Sequence, residues 1–238
     1  MIGWLPFSSI LSASEALELF LKNSKPEIAS IDSVAMEIGT YILPDTRLNL
    51  EGTFKVEGTE LRSLTLSSGR AWILSKPSMI REEVLIKSSV LVLKQLLTWG
   101  GKMEVGDGGG HSILTALGES PKGKGKSLKI SSNSFIIVIL GYDQEGTNKN
   151  LPFFELTDDF ECEAGATLLV MKAKTMESIR PGRYPIVRGQ KLKGPDITLM
   201  SQEIGQEMGA FAQVLDKNEI NKCSLEKADG TIYLVVSQ

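Results

Sequence analysis

The sequence predicts an α+β fold: a twisted, mostly antiparallel sheet with long hairpins and two or three packing helices, in a single domain over 1–238 with 196–238 as a C-terminal subregion. Three observations predict it. Leu48, Leu50, Phe54 and Val56 alternate with polar neighbours, the pattern of a strand with one wet face. The run FIIVIL is apolar on both faces, as a buried central strand is. Three other stretches space their apolar residues as a helix does.

Taken in order, Ser12 and Glu15 form a capping-box pair, and Leu17, Phe20 and Leu21 follow on one helical face before Pro26. TRLNLEGTFKVEG then reads as one long strand, Leu64 and Leu66 resume its alternation, and AWILS follows the Ser68–Gly69 turn. After Pro77, residues Ile80, Val84, Leu91, Gln95 and Trp99 approximate helical spacing, although SVLVL within this stretch has a β-rich composition. LKISSNSFIIVILGYD, LPFFELTDDFECE and ATLLVMKAKT are further strands, separated by the polar turn DQEGTNKN and by a turn at Ala164 and Gly165. Between Pro181 and Pro195 a basic connection holds a short strand at YPIV. Asp196 is placed to cap a helix carrying Ile204, Met208, Phe211 and Leu215, and TIYLVVSQ closes the chain behind an Asp229–Gly230 turn. No internal repeat is read.

Composition excludes several function classes. With 26 basic and 29 acidic side chains the formal charge is −3, so no overall field favours nucleic acid, and no nucleic-acid partner is expected. Any contact with an anionic surface must be local. Cys162 and Cys223 have no metal-ligand spacing, which points to a reduced, cytoplasmic protein without a metal or cofactor. No apolar run reaches the length of a spanning helix.

The stretch GDGGGHSILTALGESPKGKGKS half-matches two catalytic motifs. Gly110, His111 and Ser112 begin a nucleophile elbow, but Leu114 replaces its second glycine and the only histidine already sits inside it, so no base remains for a triad. Gly125, Lys126 and Ser127 end a phosphate loop, yet Ser120 replaces its first glycine and the residues that follow read as strand rather than helix. The remaining reading is two flexible glycine-bearing brackets around an apolar piece, with Lys122, Lys124, Lys126 and Lys129 on a solvated tip. Asp159, Glu161 and Glu163 share one face of a strand and are read as a solvated face, with cation binding the less common case. No competent catalytic pair emerges, so no enzyme is expected.

At FECEAGATLLVMKAKT the chain resembles a gasdermin stretch, carried by Gly165, Ala166, Thr167 and Leu168 and preceded by the arms FIIVIL and LPFFEL. The resemblance implies a pore-forming cell-death protein, soluble until activated, that homo-oligomerises and turns hairpins into amphipathic membrane-spanning strands. On that reading Lys122, Lys124, Lys126, Arg183 and Arg188 contact membrane lipid, the strand with Leu48, Leu50, Phe54 and Val56 lines the pore, and the protein is membrane-associated only after activation. The first helix departs from the family pattern, since Glu15 and Glu18 stand against Lys22 alone. Two other readings are a non-enzymatic β-rich assembly or scaffold protein with protein partners, such as a viral structural or accessory factor, and an enzyme using the 158–163 carboxylates with a divalent cation.

Overall fold

Leu64, Val84, Met103, Leu128, Phe160 and Leu192 stand one above another, each in parallel register with the next. That ladder defines the architecture. The computed structural model describes residues 29–32, 36–51, 54–67, 71–74, 76–106, 110–118, 121–141, 151–173, 175–200 and 212–238. These residues wind into a three-sided parallel β-solenoid, in which each turn of chain pairs with the turn before it and turns apolar residues onto a shared axial core.

The first described strands are β1 (Ala29–Asp32), β2 (Met36–Glu51) and β3 (Phe54–Ser67), paired in parallel. β3 is long enough to reach all three sides, and at successive points it pairs with β4 (Ala71–Leu74), β5 (Ser78–Ile80) and β6 (Val84–Ile86). The first side continues from β4 through β7 (Val90–Leu93), β9 (Ser112–Leu117), β11 (Ser134–Leu140), β14 (Thr167–Ala173) and β17 (Thr198–Leu199). The second side runs from β5 through the first halves of β8 (Leu97–Val105) and β10 (Gly123–Ile130) to β12 (Phe154–Leu156) and β15 (Gly182–Arg188). The third runs from β6 through the second halves of β8 and β10 to β13 (Asp159–Cys162) and β16 (Lys191–Lys193).

Among the described residues antiparallel pairing is confined to the C-terminal end. There β18 (Ala212–Val214) lies against β14, β20 (Thr231–Val236) against β15, and β19 (Cys223–Ala228) against β20. The helix α1 (Lys217–Ile220), fixed by an Asp216 capping box, is the single helix among the described residues. The antiparallel α+β expectation is therefore overturned: the sheet is parallel up to its C-terminal end, and the four-residue α1 is all the helix that the described residues hold. The cause is physical, because a half-buried strand alternates in the same way whether its neighbour runs parallel or antiparallel.

The helix expected between Pro77 and Trp99 is four strands, β5 to β8. Buried pairs two residues apart, Ile80 after Ser78, Ile86 after Val84, Leu93 after Leu91 and Trp99 after Leu97, are separated by short corners, and this spacing mimics a helical stripe. LPFFELTDDFECE is likewise two strands, β12 and β13, with a corner at Thr157 and Asp158. TRLNLEGTFKVEG is split between β2 and β3. The expected helix at 12–21 lies outside the described residues, as does 201–211 of the one expected after Asp196; the flanks of the latter are strands β17 and β18.

Two apolar clusters flank the first side. Inward residues such as Leu91, Leu114, Ile136 and Leu168 belong to the axial core. On the opposite face of the same strands Leu117, Ile137, Ile139, Leu169 and Met171 form a second buried cluster with Val92, Ile113, Phe135 and Met200. FIIVIL is thus apolar on both faces because both faces are buried, as read from its composition.

Candidate interaction surface

KGKGK is a strand. Gly123 and Gly125 point inward over Trp99, and Lys124 and Lys126 point to solvent. A β-carbon on Gly125 would collide with the indole, and one on Gly123 would come within 2.6 Å of Phe154 Cδ1, so only glycine fits above that ring. Lys122, expected at the solvated tip, is buried at 7% exposure, and its Nζ donates to the Lys94 carbonyl at 3.0 Å. Lys124 pairs with Glu155 at 2.7 Å. Lys126 is exposed. Arg183 lies 3.7 Å over the Tyr233 ring and pairs with Glu226 at 2.6 Å, and half-buried Arg188 reaches Thr231 Oγ1 at 3.4 Å. These residues do not converge: Lys124, Glu155 and Arg188 form one outward ladder on the second side that ends on buried Thr231, Arg183 sits at the C-terminal end, and Lys122 is buried just before β10.

The piece HSILTAL is not a free segment between hinges. It is β9, in register with β7 on one edge and β11 on the other. Ser112 is fully buried and its Oγ accepts the Ser88 N–H at 2.8 Å, so it offers no nucleophile. His111 is exposed at the corner, with Nδ1 3.1 Å from the Asn133 carbonyl and its ring 5.6 Å from that of Phe135.

The third side carries several ion pairs. Its outward ladder alternates in sign, Glu104, Lys129, Glu161 and Lys193, each in register with the next. Lys129 bonds Glu163 at 2.6 Å and stands 3.5 Å from Glu104, which also holds Lys102 at 2.9 Å; Lys193 pairs with Asp159. The Lys129 bond, helped by the Ser132 N–H, holds the Glu163 carboxyl below its usual range, and the same bond raises Lys129. The bond to Asp159 raises Lys193. Asp159 and Glu161 do share an outward face, but lysines already neutralise it. Among the described residues no group of His, Cys, Asp or Glu is placed to hold a metal ion.

The four expected pore residues have described backbone only. Leu48 and Leu50 lie in β2 between β1 and β3, and Phe54 and Val56 lie in β3 between β2 and β4, with every pairing parallel. No helix among the described residues is long and apolar enough to cross a membrane.

One signal was missed. SSVLVL, HSILTAL, NSFIIVIL, GATLLVM and DITLM begin at the same corner of successive turns, so that Ser89, Ser112, Ser134 and Ala166 stack as small buried residues before each apolar strand. Ser88 and Asn133 take left-handed φ of 48° and 56° at that corner, and Gly165 takes 89°. A search for a short polar or glycine residue, then a small one, then a β-branched run would have found the repeat. The chain matches no family model, no curated protein and no solved structure.

Proposed function

We propose that this chain is a non-enzymatic assembly or scaffold module, a rigid solenoid that keeps its sheet intact and binds protein, a second copy included, through its outward faces. The observation that carries this reading is the continuous parallel pairing of the sides, which occupies both edges of the interior strands and leaves ion-paired faces outward on the second and third sides. A solenoid of this kind presents an extended surface without needing a cleft.

The membrane-inserting reading needs antiparallel hairpins that peel away and close into a barrel. The strands holding Leu48, Leu50, Phe54 and Val56 have parallel neighbours, and β9 and β10 lie on different sides of the solenoid rather than forming a hairpin. The outward charges are mixed in sign, which disfavours both anionic lipid and nucleic acid as partners. Dye release from anionic vesicles tests the proposal, run beside sedimentation of the same sample. Intact vesicles with discrete protein assemblies are expected, and release that grows with the anionic lipid fraction would overturn the scaffold reading.

A further inference from the structure

We infer that the third side is a self-complementary docking face, on which a second copy of this chain lies with its solenoid axis reversed. This rests on the assembly reading above and names its partner. The ladder Glu104, Lys129, Glu161, Lys193 alternates in sign from one turn to the next, at strand steps of about 4.8 Å. A twofold axis running along the strand direction between the Lys129 and Glu161 turns reverses the order of turns without shifting positions along a strand. Lys129 of one copy then faces Glu161 of the other, and Glu104 faces Lys193, so each pair occurs twice across one closed interface. A twofold along the solenoid axis would instead set every charge against its own kind. The alternation therefore selects the reversed arrangement.

The face is open to such contact. Lys193, Glu163 and Asp159 retain 51%, 40% and 29% side-chain exposure, and even Lys129, which bonds Glu163, keeps 20%. The same operation sets Lys102 against Lys191 at the rim, but Glu104 already holds Lys102. A face only a few strands tall without an apolar centre gives a weak, salt-sensitive dimer.

Sedimentation velocity on the full chain tests this at roughly 0.01 M and 1 M salt, where the screening length falls from about 30 Å to about 3 Å. Expected is a dimer at low salt that dissociates at high salt. Lys193→Glu sets like charges at both ends of the interface and is expected to weaken association about tenfold or more, and adding Glu104→Lys restores it, although that pair of changes improves nothing within one copy. Circular dichroism checks that each variant folds. Should Lys193→Glu fail to fold, Lys129→Cys mixed with Glu161→Cys, both in a Cys223→Ser background, gives a disulfide between copies in the reversed arrangement, and neither crosslinks by itself. A monomer at both salts, a dimer indifferent to salt and to Lys193→Glu, or self-crosslinking of Lys129→Cys overturns the inference. The salt-indifferent dimer would leave the assembly reading standing, and that reading is judged separately by vesicle release.

Discussion

The indole of Trp99 fills the space under Gly125 that a side chain would need, and its Nε1 donates a 3.0 Å hydrogen bond to the Ser127 carbonyl just beyond. One aromatic ring thus dictates the glycines of KGKGK and anchors the bulge between Gly125 and Ser127. Gly125→Ala forces the ring or the strand to shift and is expected to cost about 1–3 kcal/mol. Lys124→Ala, which removes only a half-exposed ion pair, is expected to stay within about 0.5 kcal/mol of the parent. Urea unfolding of both variants decides it, and equal effects would mean that the ring does not set the strand.

Lys122 behaves differently from its two neighbours in the same motif. Its buried ammonium donates to a backbone carbonyl, so Lys122→Glu puts an unmatched carboxylate beside that oxygen. A fall in Tm of several degrees is expected for Lys122→Glu, with Lys124→Glu and Lys126→Glu closer to the parent. If all three changes shift Tm alike, Lys122 is not inside the wall of the solenoid.

Strand positions were legible in the sequence wherever an apolar run was long or strongly alternating, as in FIIVIL, ATLLVMKAKT and TIYLVVSQ. Pairing partners were not, because alternation fixes which face a residue takes but says nothing about the strand beside it. Three-residue strands such as Val84–Ile86 carry too few residues to show any period, and the corners between them imitate a helix. The candidate surface was half legible. The carboxylates at 159–163 could be placed on one face from sequence, but the lysines that match them come from other turns of the solenoid, and a one-dimensional reading cannot bring those together.

Ile136 and Ile137 face opposite sides of β11, and each is at most 2% exposed. Ile136 belongs to the axial core and Ile137 to the second cluster. Truncating either to Ala is expected to cost about 2–5 kcal/mol. A loss confined to Ile136→Ala would show that the outer face of this side is not closed.

A mostly buried ion pair ties α1 to β14 at the C-terminal end. Lys172, on β14, bonds Glu219 of α1 at 2.6 Å with side-chain exposures of 8% and 14%, and its Nζ also donates to the Glu177 carbonyl at 2.7 Å. Removing one partner strands the other charge, so Lys172→Met is expected to cost about 3–5 kcal/mol. Adding Glu219→Leu should recover only part of that loss: no lone charge then remains, but the capping-box bond that Glu219 accepts from the Asp216 N–H is lost with it. Additive losses in urea unfolding would mean that the two side chains act independently.

Cys162 gives a prediction on the alkaline side. It lies inside the solenoid in register with Ile130, and burial pushes its thiol from 9.0 up to about 12. The fold therefore favours the protonated form. Below the ordinary thiol value both states hold the proton, and this contribution to stability is fully present. As pH climbs from about 9 towards 12 the unfolded chain ionises first, so stability falls by up to about 1.4 kcal/mol per pH unit for this one group. Lysines and tyrosines titrate in the same window, so the measurement is a difference: unfolding free energy against pH for the parent and for Cys162→Ala. The variant should start lower because of the cavity and then decline less steeply, and parallel curves would show that the thiol is not shielded. Cys223, raised in the same direction by burial, remains in both proteins and cancels from the comparison.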